Sequence, residues 1–246
     1  MALTFYAEFP PCPALRPYVA CLWAAKTDGA APHRVLPDNC VDILWQDTGA
    51  GAFAVGMMSA PIWVPATGPV RIVAVRFRPG AASLFLGAPL RVLTDTRAEL
   101  ADLWGRADAM RLQDALWQPA LTTAARLRLV EQALLARRVE AAPAPTLGQR
   151  AVAIIEASHG AVRLEALADA LHVSRQHLAL QFGQQVGLTP KLFARICRFR
   201  RASEALRHGG AIELAQLALD CGYFDQSHLI RDFHDFAGTT PATWRR

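Results

Sequence analysis

The chain of 246 residues predicts an α+β fold, with strands first, helices after them and an all-α C-terminal part. Three observations predict it: short β-branched or aromatic runs up to Phe77, apolar residues three and four apart from Ala81 onward, and one two-helix pattern written twice between Leu164 and Pro241.

The strand-like runs are Tyr18–Ala25, His33–Leu36, Val41–Trp45, Phe53–Gly56, Ile62–Val64 and Val70–Phe77, separated by Gly, Pro and an Asp-Asn step. Short strands at that spacing suggest a small barrel or sandwich. After Arg78-Pro79-Gly80 the texture becomes helical in Ala81–Leu86, Ala98–Leu103, Ala109–Leu116 and Thr122–Val139. Asp95 or Thr96 and Thr122 are expected to cap two of these. The last of the four is the longest and most amphipathic. Packing on the protein's own barrel is the commoner fate of such a helix, and dimerisation the other. Glu140–Thr146 (EAAPAPT) sets two prolines among small residues, which marks a semi-rigid spacer and a domain boundary. Gln149–Ser158 then opens a helical unit, with Ala151, Ile154 and Ile155 inward and an end near Gly160.

The doubled pattern reads LEALADALHVSRQHLALQFGQQVGLTP from Leu164 and LAQLALDCGYFDQSHLIRDFHDFAGTTP from Leu214. Leu167-Ala168 matches Leu217-Ala218, and His177-Leu178 matches His228-Leu229 after one extra residue in the second turn. Phe182, Gly187 and Thr189-Pro190 match Phe233, Gly238 and Thr240-Pro241. Each copy reads as a short helix, a tight turn (His172-Val173, then Cys221-Gly222), a capping residue (Ser174, then Asp225) and a second helix that buries a Leu and a Phe four apart. That is a helix-turn-helix, with the second helix facing out. Between the copies, Thr189 is expected to cap a helix starting at Pro190 and running to about Arg207. It carries Leu192, Ile196, Phe199 and Leu206 inward and Arg195, Arg198, Arg200 and Arg201 around the rest.

The doubled motif, the GYFDQSHL turn and the two Gly-x-Thr-Pro endings resemble the AraC/XylS family of bacterial transcription regulators, over about the last hundred residues. The segments PDNCVDILW, VRFRPGAASLFLG and LTDTRAELADLWG resemble a poorly characterised β-rich, sensor-like domain found ahead of such DNA-binding units. The second resemblance implies a cupin-like barrel followed by helices. Together they imply a sensor or dimerisation domain over residues 1–142, β-rich to about 78, a linker at 143–147 and a DNA-binding domain at 148–246. They also imply double-stranded promoter DNA as partner, with RNA polymerase, a small-molecule effector and a second copy of the chain as further candidates. The linking helix, in that family, sets the two heads into successive major-groove segments on one side of the duplex.

Composition constrains the remainder. The net charge of +5 and the isoelectric point near 9.3 suit nucleic acid without demanding it. No run of eighteen apolar residues suggests a membrane span, and the N-terminus has no signal-peptide pattern, so a bacterial cytoplasmic protein is expected. The cysteines Cys12, Cys21, Cys40, Cys197 and Cys221 are odd in number and contain no C-x-x-C pair, which argues against a disulfide framework and a cysteine-rich zinc site. That spacing also disfavours an alternative function, a DNA-binding module fused to an enzymatic or alkylation-repair domain. Before His159 the chain has His33 alone, too little for a histidine-based metal site. No catalytic residue, metal or cofactor is expected.

The base-reading candidates are the first outward residues of each second helix: Arg175, Gln176, Ala179 and Leu180, then Gln226, Ser227, His228 and Arg231. Arginine suits guanine, glutamine suits adenine, and Ala179 or Leu180 suits a thymine methyl. Ser174, His177, Arg195, Arg198 and Arg201 are the phosphate candidates. In the N-terminal part, Asp38, Asp42, Arg76, Arg78 and Trp45 are the ligand candidates, against plainer readings. Asp38 and Asn39 suit a structural turn, the two arginines a solvated sheet face, and Trp23, Trp45 and Trp63 the core.

Overall fold

A computed structural model describes residues 3–137, 144–208 and 213–244. The strands are β1 (Leu3–Phe9), β2 (Val19–Thr27), β3 (His33–Val35), β4 (Val41–Gln46), β5 (Phe53–Val55), β6 (Ile62–Val64), β7 (Val70–Phe77) and β8 (Arg97–Glu99). Six of them form an antiparallel sheet in the order β1-β2-β7-β4-β5-β8, and β3 pairs with β6 alone. Period-two alternation assigns the faces. Leu22, Val75 and Ile43 stand opposite one another in register and are fully buried on the core side. Cys21, Arg76 and Asp42 stand opposite one another on the other side.

The expected cupin-like barrel is replaced by an open sheet. Among the described residues no strand pairs with the outer side of β1 or β8. β8 is only three residues long, and β3 and β6 leave the main sheet to pair with each other. The apolar face that closure would have enclosed is covered by helices, which solves the same burial problem. These are α1 (Ser83–Leu86), α2 (Leu100–Trp104), α3 (Arg106–Leu116) and α4 (Thr123–Arg137). α4 packs across β2 and β7 through Leu127, Val130 and Leu134, so the amphipathic helix serves its own sheet. Residues 138 and 139 of its expected span lie outside the described residues.

Three local expectations are corrected. Asp95 caps no helix: residues 97–99 are taken by β8, and the Asp95 carboxylate accepts hydrogen bonds from the Ser59 amide and hydroxyl at 2.6 Å each. Trp63 is 67% exposed, because β6 lies outside the core; Arg34, opposite it on β3, stacks over the ring at 5.9 Å. Trp45 is a core residue with no exposure, 6.2 Å from Trp104, and is out of reach of any ligand. Thr122 does act as expected, accepting from the Ala125 amide at 3.2 Å.

Asp42 lies beneath Arg76. Its carboxylate accepts from Arg76 Nε at 3.1 Å, from Arg76 Nη2 at 3.0 Å and from Trp23 Nε1 at 3.2 Å. Burial pushes its carboxyl up to about 6 despite the opposing pull of Arg76. A carboxyl raised on folding holds its proton more tightly in the native state. Stability is therefore expected to fall as pH rises from about 4, where the unfolded chain ionises, to about 6, and to level off above. Denaturant titrations across that window check this, and Asp42→Asn is expected to flatten the slope.

The C-terminal part contains α5 (Leu147–Ala157), α6 (Leu164–Ala170), α7 (Arg175–Val186), α8 (Pro190–His208), α9 (Leu214–Asp220), α10 (Gln226–Ala237) and α11 (Pro241–Trp244). Residues 140–143 of the proline-bearing spacer lie outside the described residues. Beyond them Thr146 and Gln149 form a capping box that starts α5 two residues before the expected Gln149. One apolar core runs without a break from Leu22 and Phe77 to Phe182, Phe199 and Phe233. The C-terminal end of α7 rests on the N-terminal part: the Thr94 hydroxyl donates to the Gly187 carbonyl, and Leu90 lies beside Gly187.

Candidate nucleic-acid interface

Both copies of the repeated pattern fold alike, for reasons visible in their residues. α6 buries Leu167 and Ala168, and α9 buries Leu217 and Ala218. Each short helix ends at a residue with positive φ, His172 at 55° and Gly222 at 80°. That conformation reverses the chain within one step, and glycine adopts it more easily than histidine. Ser174 then accepts from the His177 amide at 3.1 Å, and Asp225 from the His228 amide at 2.7 Å. Each cap contributes about 1 kcal/mol. α7 buries Leu178 and Phe182, and α10 buries Leu229 and Phe233, which turns the opposite face of each helix to solvent.

The exposed faces carry most of the base-reading candidates. Arg175, Gln176, Ala179, Leu180, Gln226, Ser227 and Arg231 are exposed. Arg175 is 3.0 Å from Glu165, and both side chains are well solvated, so the pair is weak. His228 is half-buried and packs edge-on against Tyr223 at 5.3 Å, which makes it a support of the turn. Leu180 is 52% exposed, an apolar group held in water at the centre of the α7 face.

Three of the five phosphate candidates, Ser174, His177 and Arg201, are exposed. The two others have internal partners. Arg195 donates to Asp232 Oδ1 through Nε at 3.0 Å and Nη2 at 2.7 Å, reaches Asp235 at 2.5 Å, and lies 4.9 Å from the Phe236 ring centre. Asp232 has no exposure at all. Arg198 donates to the Gly160 carbonyl at 2.5 Å and stacks over Tyr223 at 5.4 Å. Sequence reading placed both on the outside of α8 because a single helical wheel does not show a neighbouring carboxylate or ring. The spacing Asp232–Asp235, one helical turn apart and facing the rod, is the signal that could have found Arg195's partners.

These arginines define how the two copies are joined. Arg195 fastens α8 to α10. Arg198 fastens α8 to the end of α5 on one side and to the second copy's turn on the other. Gly160 makes this approach feasible: its φ is 80°, and a Cβ there would sit 2.2 Å from the Ala194 carbonyl oxygen. At the start of α8 the Thr189 hydroxyl accepts from the Leu192 amide at 3.2 Å, as expected from Thr189-Pro190.

Residues 167–246 match the sequence profile of a family described as a helix-turn-helix domain. Over 73 residues the chain is 36% identical to the HTH-type transcriptional activator RhaS of Shigella boydii, a match covering 30% of this chain and 26% of that protein. The C-terminal part is an AraC/XylS-type helix-turn-helix domain. The chain thus spans about a quarter of the curated relative that it matches. Residues 7–99 match a domain of unknown function, DUF6597. Among solved structures, the C-terminal domain of the response regulator AraT from Geobacillus stearothermophilus is 24% identical, covering 43% of this chain and 88% of that one at a TM-score of 0.40. ToxT from Vibrio cholerae is 10% identical, covering 91% of this chain and 97% of that one at a TM-score of 0.48. The two sequence matches carry the AraC/XylS-type conclusion. No helix among the described residues is long and apolar enough to cross a membrane.

Proposed function

We propose that the protein is a sequence-specific, DNA-binding regulator of transcription. Residues 148–246 are its DNA-reading unit, and residues 1–142 a sensor that responds to a small-molecule effector. The observation that carries this reading is the pair of solvent-facing second helices, α7 and α10, built on one rod, α8, in an AraC/XylS-type domain. Each presents polar or basic side chains at its N-terminal end, where a recognition helix meets base edges. Promoter DNA is the primary partner. RNA polymerase and a second copy of the chain are further partners that this role implies.

Selection of bound sequences from random DNA, followed by gel-shift titration at several salt concentrations, tests the reading. A selected site bound with a steep loss of affinity in salt is expected; binding no tighter than to random competitor overturns it. Arg231→Ala is expected to relax preference at one position of that site by about 1–3 kcal/mol. An equal loss on every sequence removes Arg231 from the base readers. Ser174, His177 and Arg201 are the phosphate candidates that remain, and Arg201→Ala is expected to weaken all sequences alike.

The alkylation-repair form of the fused-enzyme reading requires a reactive thiolate. At three cysteines burial moves the thiol the other way: Cys21 and Cys197 are pushed up to about 11, and Cys40 also rises. This favours binding over thiol chemistry.

A further inference from the structure

Where the sheet meets α5 and α8 there is a cleft of about 730 Å³. Its walls come from both parts of the chain: Tyr18, Asp38, Arg76 and Arg78 on one side, Glu156 of α5 and Arg200 of α8 on the other. The charges in it are unevenly matched. Arg76 is saturated by Asp42 at 3.0 Å, Asp38 at 3.6 Å and Glu8 at 4.0 Å. Arg78 and Arg200 have no carboxylate within ion-pair distance among the described residues. Arg78 Nε donates to the Arg16 carbonyl at 2.9 Å, and Arg200 Nη1 to the Asp38 carbonyl at 2.8 Å, which leaves the other donors of both guanidiniums without a protein partner. Glu156, the remaining acid, makes no ion pair among the described residues; burial raises its carboxyl against the opposing pull of Arg200 and Arg78 at longer range. The result is a concave, partly apolar space with two guanidiniums that no carboxylate pairs directly, an arrangement suited to a carboxylate or phosphate.

We infer that this cleft binds a small organic anion, held jointly by Arg78 of the sheet side and Arg200 of the rod. The role of that anion as effector rests on the regulator reading above; its binding does not. Arg200 sits on the helix that carries both heads, and its bond to the Asp38 carbonyl is one of the direct ties between rod and sheet. Beside it Asn39, fully buried at φ 62°, donates to the Phe193 carbonyl at 3.1 Å and the Cys197 sulfur at 3.3 Å. An anion that draws Arg200 towards Arg78 changes that junction, and it biases DNA binding to the extent that it prefers one arrangement of the junction.

The test uses the full chain and three probes: benzoate, the neutral isostere benzamide, and inorganic phosphate. Calorimetry and thermal shift are expected to show saturable binding of at least one anion and none of benzamide. Arg78→Gln and Arg200→Gln are each expected to weaken anion binding about tenfold, the loss of one charged hydrogen bond. Arg200→Lys, which keeps the charge, retains binding within about threefold and guards against misfolding of the glutamine variant. Anion binding that neither glutamine variant weakens, or no anion binding below about 10 mM, overturns the inference. Selected DNA is titrated in parallel. DNA binding without anion binding removes the cleft and leaves the regulator. Anion binding lost in both glutamine variants, with no DNA selected, leaves the cleft and removes the regulator.

Discussion

Arg195→Ala is expected to destabilise the protein by about 3–5 kcal/mol, the cost of leaving a buried carboxylate without its partner. Asp232 is wholly buried in α10, and Arg195 supplies both of the hydrogen bonds that its Oδ1 accepts. The Tyr223 hydroxyl, which burial pushes upward with Asp232 adding to the shift, is close by but replaces neither bond. Chemical denaturation measures the loss, and the double variant Arg195→Met/Asp232→Leu separates its causes. Removing both charges is expected to recover most of the stability, because the penalty lies in the uncompensated charge. A loss below about 1 kcal/mol for Arg195→Ala would return that arginine to solvent and to the set of phosphate contacts.

Phe199→Ala is expected to cost a similar amount, about 3–5 kcal/mol. Phe199 is 1% exposed at the middle of α8, with the rings of Phe233 at 5.1 Å, Phe236 at 5.4 Å and Trp244 at 6.5 Å around it. Truncation removes the apolar contact and leaves a cavity that three rings from α10 and α11 cannot fill without moving. Phe199→Leu, which keeps much of the volume, is expected to cost less than about 1.5 kcal/mol. Because this cluster sets the second head on the rod, the alanine variant should also expose α10 amides to hydrogen exchange before those of α7. Equal protection of both helices would show that the rod holds the heads by other means.

Much of the C-terminal part was legible from residue types alone. Leucine and phenylalanine four apart, a capping Ser174 or Asp225 and a turn residue at positive φ are local requirements. They act within a few residues, so a doubled pattern identifies two equivalent units before any packing is known. The strand runs Ile62–Val64 and Val70–Phe77 are likewise found where the β-branched and aromatic residues put them. β1 leaves no strand signal in the residue pattern, since an edge strand pairs on one side only and Thr4, Phe5 and Tyr6 remain exposed. β8 lies partly where the helical spacing of Ala98–Leu103 points to a helix, because three residues are too few to show a period of their own.

Short-range stereochemistry and periodic burial thus set the repeat, its caps, the faces turned outward and the strand-then-helix order. Long-range packing settles that the sheet stays open under its helices and that Trp63 is outside the core. It also settles that Arg195 and Arg198 clamp the rod while Arg78 and Arg200 converge on one cleft. Those outcomes depend on which charged and aromatic groups meet across more than a hundred residues of chain in some cases, as Arg200 and the Asp38 carbonyl do. An arginine reads the same in sequence whether it faces water, a carboxylate or a ring; its neighbours in space determine what it does.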